Sequence, residues 1–310
     1  MKAGDKEWFK RLLVEMNDRQ AAVWDRHIVP AIGAIRGRLI ELVDLKPGER
    51  VLDVGTGTGA VAFDAARKVG ADGRVAGIDT SPRMLKRARE KAAKSGLKNV
   101  EFRKMNSSSL DWPDESFDAV ISCLGQPEAP WDVRPACAEW HRILVPGGRL
   151  AICTEAEDPF PGQFQQVFAR YKVRTPSRKL AERRRLSSRV SREADRIPGA
   201  RLLEDAGFVD VRRSVESFQV FIPARAQLEL LLTWGLDYEE YSELAPSVRH
   251  RFRTEALEAI RPFETVKGVM NFASACKAGN YCGPEAARRM PGRFPPGVRT
   301  GSSGPPKASQ

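Results

Sequence analysis

Between Val51 and Ala60 the chain reads VLDVGTGTGA. Gly55, Gly57 and Gly59 alternate with Thr56 and Thr58, and Asp53 stands two residues before the first glycine. Glycine admits positive φ and carries no Cβ to block an approaching ligand. An apolar run, then Gly-x-Gly, then a helical stripe describes a nucleotide crevice at the carboxyl end of a sheet. Loops of this kind serve dinucleotides, nucleoside triphosphates and S-adenosylmethionine. Gly55 to Ala60 also fits the loose dinucleotide fingerprint GxGxxA. No Gly-Lys-Ser/Thr follows the glycines, which excludes a P-loop. Asp79 closes the next apolar run, 24 residues after Gly55. A carboxylate there can accept hydrogen bonds from both ribose hydroxyls of NAD or of S-adenosylmethionine. Asp53 separates the two ligands. Beneath the loop it would repel a pyrophosphate but favour the ammonium and sulfonium charges of S-adenosylmethionine. The alternative for Asp53 is structural: a carboxylate that ties the loop down through backbone N–H groups.

These residues need elements to hold them. Trp24, Ile28, Ile32, Ile35, Leu39 and Leu42 recur at helical spacing, so residues 1–47 read as helices, kinked or split at Pro30. Val51–Val54, 74–79, 99–103, 117–122 and 149–153 read as short buried strands. Helices fall between them: one from Val61, one capped by Ser81 and ended by Gly96, one from about 133 to 144. Strand–helix alternation over 50–155 predicts an α/β fold with a doubly wound, mostly parallel sheet. Residues 156–199 interrupt the rhythm. A helix at 200–207, a strand within 209–221, helices over 225–262 and a last strand at 268–277 follow.

Four stretches, taken in order, resemble the successive motifs of class I S-adenosylmethionine-dependent methyltransferases. They are Val51 to Gly59, Gly77 to Leu85, Trp112 to Val120 and Arg142 to Leu150. They look closest to the ubiquinone/menaquinone-biosynthesis type, over roughly residues 45–155 with an echo at 200–212. The resemblance implies a Rossmann-like methyltransferase fold with a helical N-terminal extension (1–47), a methyltransferase domain (48–282) and an inserted basic lid (156–199). It implies S-adenosylmethionine as cofactor and no metal. Asp53, Gly55, Thr56 and Gly57 would line the methionine end, and Asp79 would hold the ribose. Thr80 and Met84 would lie beside the adenine. The position after the third strand, usually an aspartate that bonds the adenine amino group, is Asn106 here, followed by Ser107. Cys123, with Ser122, Leu124 and Gly125, would face the methyl group. No catalytic base stands out, and His141 reads as a packing or surface residue.

Composition narrows the acceptor less than the cofactor. The net charge of +11 is concentrated: residues 171–200 carry a net +7 and residues 277–310 a net +5, leaving −1 elsewhere. Such patches attract phosphate, nucleic acid or anionic membrane, or they form a solvated helical face. The amine-methylating motif [DN]PP[YFW] is replaced by Ser122-Cys123-Leu124-Gly125-Gln126, and no Pro-Cys nucleophile occurs. Tyr171 is the only aromatic residue in the basic segment, so no base-stacking platform is evident. Phe160, Phe164, Val167, Phe168 and Tyr171 could form the apolar face of a lid over an amphiphilic acceptor. Five dispersed cysteines read as reduced thiols, and the opening residues mix charge with apolar side chains unlike a signal peptide. The expectation is a cytosolic enzyme acting on a small or lipid-like acceptor, with peripheral contact to anionic membrane or RNA through the basic segments. The rivals are an RNA or protein methyltransferase docking on those segments, and a non-catalytic module on the same fold. Residues 283–310, with six prolines and five glycines, read as a disordered tail.

Overall fold

The computed structural model describes residues 2–125, 129–157, 162–194, 201–233 and 235–279. Gln126, Phe160, residues 195–199 of the expected lid and the tail at 283–310 lie outside the described residues. At the centre is β1 (Arg50–Val54), where Val51, Leu52, Asp53 and Val54 are all buried. A strand covered on both faces must be apolar on both faces. It pairs in parallel with β2 (Arg74–Asp79) on one side and, across β3 (Val100–Lys104) and β2, the parallel run continues. On the other side β1 pairs with β4 (Phe117–Cys123), and β4 with β5 (Leu144–Glu155). The sheet closes with β6 (Phe208–Phe221) and β7 (Thr265–Lys277) in the order β3-β2-β1-β4-β5-β7-β6, and β7 runs antiparallel to both of its neighbours. The α/β sheet read from the sequence is therefore present, with its mostly parallel character broken at one edge.

The N-terminal region is helical: α1 (Ala3–Val23), a π-helical segment (Trp24–Ile28), the short α2 (Val29–Ala31) and α3 (Gly33–Val43). Pro30 was expected to break it. Pro30 falls just after the point where the π-helical segment gives way to α2, and the helix breaks two residues on, at Ile32, with φ −94° and ψ 20°. Helix α4 (Ala60–Val69) follows the glycine loop, and α5 (Pro82–Ser95) starts at Ser81, whose Oγ accepts the Met84 N–H at 3.1 Å. The same hydroxyl donates to Asp18 on α1 at 2.5 Å, docking the N-terminal helix beside the sheet. Helix α6 (Val133–Ile143) covers the opposite face through Ala136, Trp140 and Ile143.

The second half departs from its expected bounds. Strand β5 begins five residues before the expected Arg149, because Leu144 already pairs with Phe117 of β4 across a register shift, and antiparallel pairing with β7 carries its other end to Glu155. The helix at 200–207 shrinks to α9 (Leu202–Asp205), and the helical run 225–262 divides into α10 (Ala224–Leu231), α11 (Gly235–Glu243) and α12 (Pro246–Ile260). Within the expected lid lie α7 (Gly162–Arg170) and α8 (Arg178–Ala194). Phe164, Val167 and Phe168 of α7 turn to α10 and α12, where Phe252 meets both rings edge-on at 6.1 and 5.5 Å. Basic residues there are engaged too. Arg183 pairs with Glu239, Arg170 with Glu255 at 2.8 Å, and Arg184 forks onto Glu240 at 2.6 and 2.7 Å.

Glu240 is only 4% exposed, so the Arg184 fork neutralises a carboxylate that has left water. Removing one partner of a buried pair strands the other. Arg184→Ala is expected to cost about 2–4 kcal/mol by urea denaturation. Arg185→Ala, at an exposed neighbour, should stay within about 0.5 kcal/mol. Equal midpoints for the two variants would show that the fork adds nothing.

Candidate active site

The loop after β1 lies at the carboxyl end of the sheet, between β2 and β4, where the strand order reverses. Open α/β sheets form their ligand crevice at that reversal. Gly55, Gly57 and Gly59 have φ of 64°, 52° and 86°, all in the left-handed region. Their bareness serves three different neighbours. A Cβ on Gly55 would lie 2.2 Å from the Gly125 carbonyl oxygen, and one on Gly59 would press on the Phe102 ring at 2.9 Å. At Gly57 the nearest atom would be Met84 Sδ at 3.9 Å, so the bare face of Gly57 opens onto the crevice.

Asp79 ends β2 beside this loop. Its Oδ2 accepts the Gly57 N–H at 2.9 Å, and its Oδ1 accepts the Ser81 N–H at 2.8 Å. Burial raises its carboxyl above the usual range, and the backbone donors of Ser81, Gly57 and Thr80 pull it back. Three of the carboxylate's roughly four lone-pair sites are taken, which leaves acceptor capacity for a further donor. Asp53 takes a different place. It is 1% exposed, it does not line the crevice, and its Oδ2 accepts the Thr56 hydroxyl at 2.6 Å. A ligand-facing Asp53 is therefore corrected to the structural alternative: it stands behind the loop and holds it. Burial pushes its carboxyl up to about 7, the Asp79 and Asp64 charges push the same way, and bonds from Thr56 and the Ala62 backbone oppose them.

The other expected residues converge. Gly55, Thr56, Gly57, Asp79, Thr80, Met84, Asn106, Ser107 and Cys123 all line one cavity of about 770 Å³. Asn106 is committed at both ends of its amide. Its Oδ1 accepts the Ser108 N–H at 3.0 Å, and its Nδ2 donates to Asp132 at 3.2 Å. Asp132, which the sequence reading missed, brings a carboxylate to the place where an aspartate was expected, and Lys10 of α1 pairs with it at 3.0 Å. Leu124, with φ of 56°, turns the chain after β4 so that Gly125 meets Gly55. His141 stays outside, with its ring edge-on to Phe208 at 5.1 Å, as a packing residue. Among the described residues no cluster of His, Cys, Asp and Glu could hold a metal.

Beyond the glycine loop the cavity widens into a mostly apolar chamber. Its walls are Trp24, Ile28 and Ile32 from the N-terminal helices, Val220 and Met270 from the antiparallel edge, and Leu231 from α10. Of residues 162–194, only Gln165 reaches it. Of the described residues of the expected lid, Ala156, Glu157 and Gln165 line the cavity, the aromatic face of α7 packs on α12, and the N-terminal helices supply a further part of the wall. No local sequence signal announced this, since both segments carry helical apolar stripes.

Residues 45–197 match the family model described as a methyltransferase domain. The chain is 32% identical over 233 residues to nocamycin O-methyltransferase of Saccharothrix syringae, covering 73% of this chain and 82% of that one. It is 32% identical over 214 residues to aklanonic acid methyltransferase of Streptomyces sp. (strain C5), covering 66% and 96%. The chain is a class I S-adenosylmethionine-dependent methyltransferase. A demethylmenaquinone methyltransferase of Listeria welshimeri is 34% identical over 184 residues, 57% of this chain and 77% of that one.

The residues of this methyltransferase fit its cofactor. Gly57 is open toward the crevice, Asp79 keeps acceptor capacity, and the described loop offers no lysine to a phosphate. S-adenosylmethionine, when bound, supplies an electrophilic methyl group. Asp79→Asn is expected to weaken S-adenosylhomocysteine binding by calorimetry about 10–100-fold, the worth of a charged hydrogen bond. Unchanged affinity would remove Asp79 from the site.

Asp53 generates a pH prediction. Its unfolded carboxyl titrates near 3.8 and its folded one near 7. Between these values the folded chain holds a proton that the unfolded chain has released, so this group costs stability as pH rises. Asp53→Asn keeps an oxygen for the Thr56 hydroxyl and removes the titration. The stability of the variant relative to wild type should rise from pH 4 to pH 7 and level off above. Denaturation curves with a pH-independent difference would refute the shift.

Proposed function

We propose that this methyltransferase moves the methyl group to a small, largely apolar organic acceptor, including lipid-like ones, held in the chamber beside the glycine loop. The observation that carries the reading is the continuity of that chamber with the cofactor crevice in one cavity. Positioning the acceptor against the methyl group supplies much of the acceleration of an in-line displacement. An apolar wall with few polar groups suits an organic molecule. The names of the similar enzymes point the same way: nocamycin, aklanonic acid and demethylmenaquinone are small organic acceptors.

The basic segment gives the rival reading little support. Arg183 and Arg184 pair with buried glutamates of α11, and those charges neutralise one another within the fold. No described helix is long and apolar enough to cross a membrane. The cytosolic address expected from the sequence is kept as part of this proposal.

The test follows a labelled methyl group. The enzyme is incubated with methyl-labelled S-adenosylmethionine and a cell lysate, and the products are fractionated. Label is expected in the solvent-extractable small-molecule fraction, with a yield that changes less than about threefold between 50 and 500 mM salt. Phosphate-docked substrates lose orders of magnitude of affinity over such a range. Label in RNA or protein that disappears at high salt would replace this reading with the docking one.

A further inference from the structure

Among the polar side chains that line the cavity, two stand out on neighbouring helices. Gln20 on α1 is 2% exposed and lines the cavity, and its Nε2 finds no hydrogen-bond partner among the described residues. A buried amide with nothing to donate to is costly unless a ligand completes it. Asp237 on α11 also lines the cavity. Its one described hydrogen bond comes from Gln165 Nε2, at a long 3.4 Å. Helices α1 and α11 adjoin here, because Arg19, next to Gln20, lays its guanidinium over the Tyr238 ring at 3.9 Å. The donor and the acceptor therefore stand on two helices that pack together, and both face the same cavity.

The cations of the cavity are already committed. Lys10 pairs with Asp132 at 3.0 Å, and Arg36 pairs with Asp64 at 3.1 Å. A carboxylate-bearing acceptor would meet Asp237 with neither of these charges released to answer it. A neutral hydroxyl fits instead: its oxygen accepts from Gln20 and its proton faces Asp237.

Resting on the small-acceptor reading above, we propose that Gln20 and Asp237 form the polar end of the chamber and select an acceptor with a neutral hydroxyl, whose proton Asp237 receives. The hydroxyl oxygen forms its bond to the methyl carbon as the carbon–sulfur bond breaks and sulfur keeps that electron pair. The hydroxyl proton passes to the carboxylate and leaves to water after release. Burial pushes the Asp237 carboxyl up to about 6, with Glu240 raising it further and Gln165 and Lys172 opposing. That places a base close to the working pH, where general-base catalysis is most effective.

The experiment uses two probes on one ring, 1-naphthol and 1-naphthoate. Each is titrated calorimetrically at pH 8 into the full chain saturated with S-adenosylhomocysteine, for wild type, Asp237→Asn and Gln20→Leu. Wild type is expected to favour 1-naphthol by about tenfold or more, since a buried like charge repels the naphthoate. Asp237→Asn should bring the two affinities within about threefold, chiefly by gaining naphthoate. Gln20→Leu should lose naphthol affinity by about tenfold, one hydrogen bond's worth. With 1-naphthol as methyl acceptor, Asp237→Asn should lower kcat about 100-fold with KM moved less than threefold, and should abolish the acid limb of the wild-type pH profile. Equal affinity of wild type for both probes overturns the proposal. So does an Asp237→Asn variant with unchanged preference and pH profile, or failure of either probe to bind while S-adenosylhomocysteine binds. Failure of S-adenosylhomocysteine itself to bind would instead strike the assignment of the cofactor crevice.

Discussion

Gly55 and Gly125 pass so close that neither can carry a side chain. A Cβ on the first would lie 2.2 Å from a carbonyl oxygen of the second, and a Cβ on the second would lie 2.6 Å from a carbonyl oxygen of the first. This crossing joins the loops that leave β1 and β4, the two strands between which the sheet reverses its order. It sets where Gly57 opens and where Cys123 and Leu124 end β4. Strain concentrates here: Leu124 is a non-glycine residue held at positive φ, and surrounding structure must over-determine such a conformation. The Leu124 N–H bonded to the Cys153 carbonyl at 2.9 Å is part of that restraint. The crevice is thus built by backbone, and side chains trim it.

The two acids of the loop divide the labour by depth. Asp79 stands at the crevice and binds the loop from the ligand side through the Gly57 N–H. Asp53 binds it from the core side through the Thr56 hydroxyl. Both are pushed toward the neutral form by burial; the Asp79 charge pushes Asp53 further that way, and the Asp18 charge does the same to Asp79. A cationic ligand relieves that cost where a pyrophosphate would add to it. The argument that set S-adenosylmethionine against NAD survives, although Asp53 acts through the field and the loop, not by contact.

The parallel centre of the fold was legible because its signals are local: apolar runs of strand length, glycines with a stated φ demand, and the Ser81 cap. The crevice residues followed from the same stretches, since a βα loop brings its ligands with it. What was not legible depends on pairings distant in sequence. Asp132, in the 3-10 turn before α6, reaches Asn106, and Gln20 and Asp237 come to one cavity wall from α1 and α11, helices far apart in sequence that pack together. The basic segment 171–200 read as an anion-attracting patch or a solvated helical face, because sequence shows Arg183 and Arg184 and hides the glutamates at 239 and 240 that answer them. Likewise Phe164 and Phe168 carry the pattern of a lid, and only the position of Phe252 decides that they are core.

The share of the cavity wall taken by the N-terminal helices has a chemical consequence. A chamber roofed by α1 and the π-helical segment places its polar groups by the N-terminal helix, which is anchored to the cofactor half through Asp18 and Ser81 and through Lys10 and Asp132. Both anchors flank residues that touch the crevice, so the helix that walls the acceptor also senses the elements that hold the cofactor. A π-helical turn is a local weakness in a helix and is common at functional positions. Here it presents Trp24 and Ile28 to the cavity, on the same side as Leu13, Asn17 and Gln20 of α1. On the reading proposed above, the wall of the acceptor chamber is thus shaped in part by a segment that the cofactor motifs do not constrain, while the crossing of Gly55 and Gly125 holds the crevice.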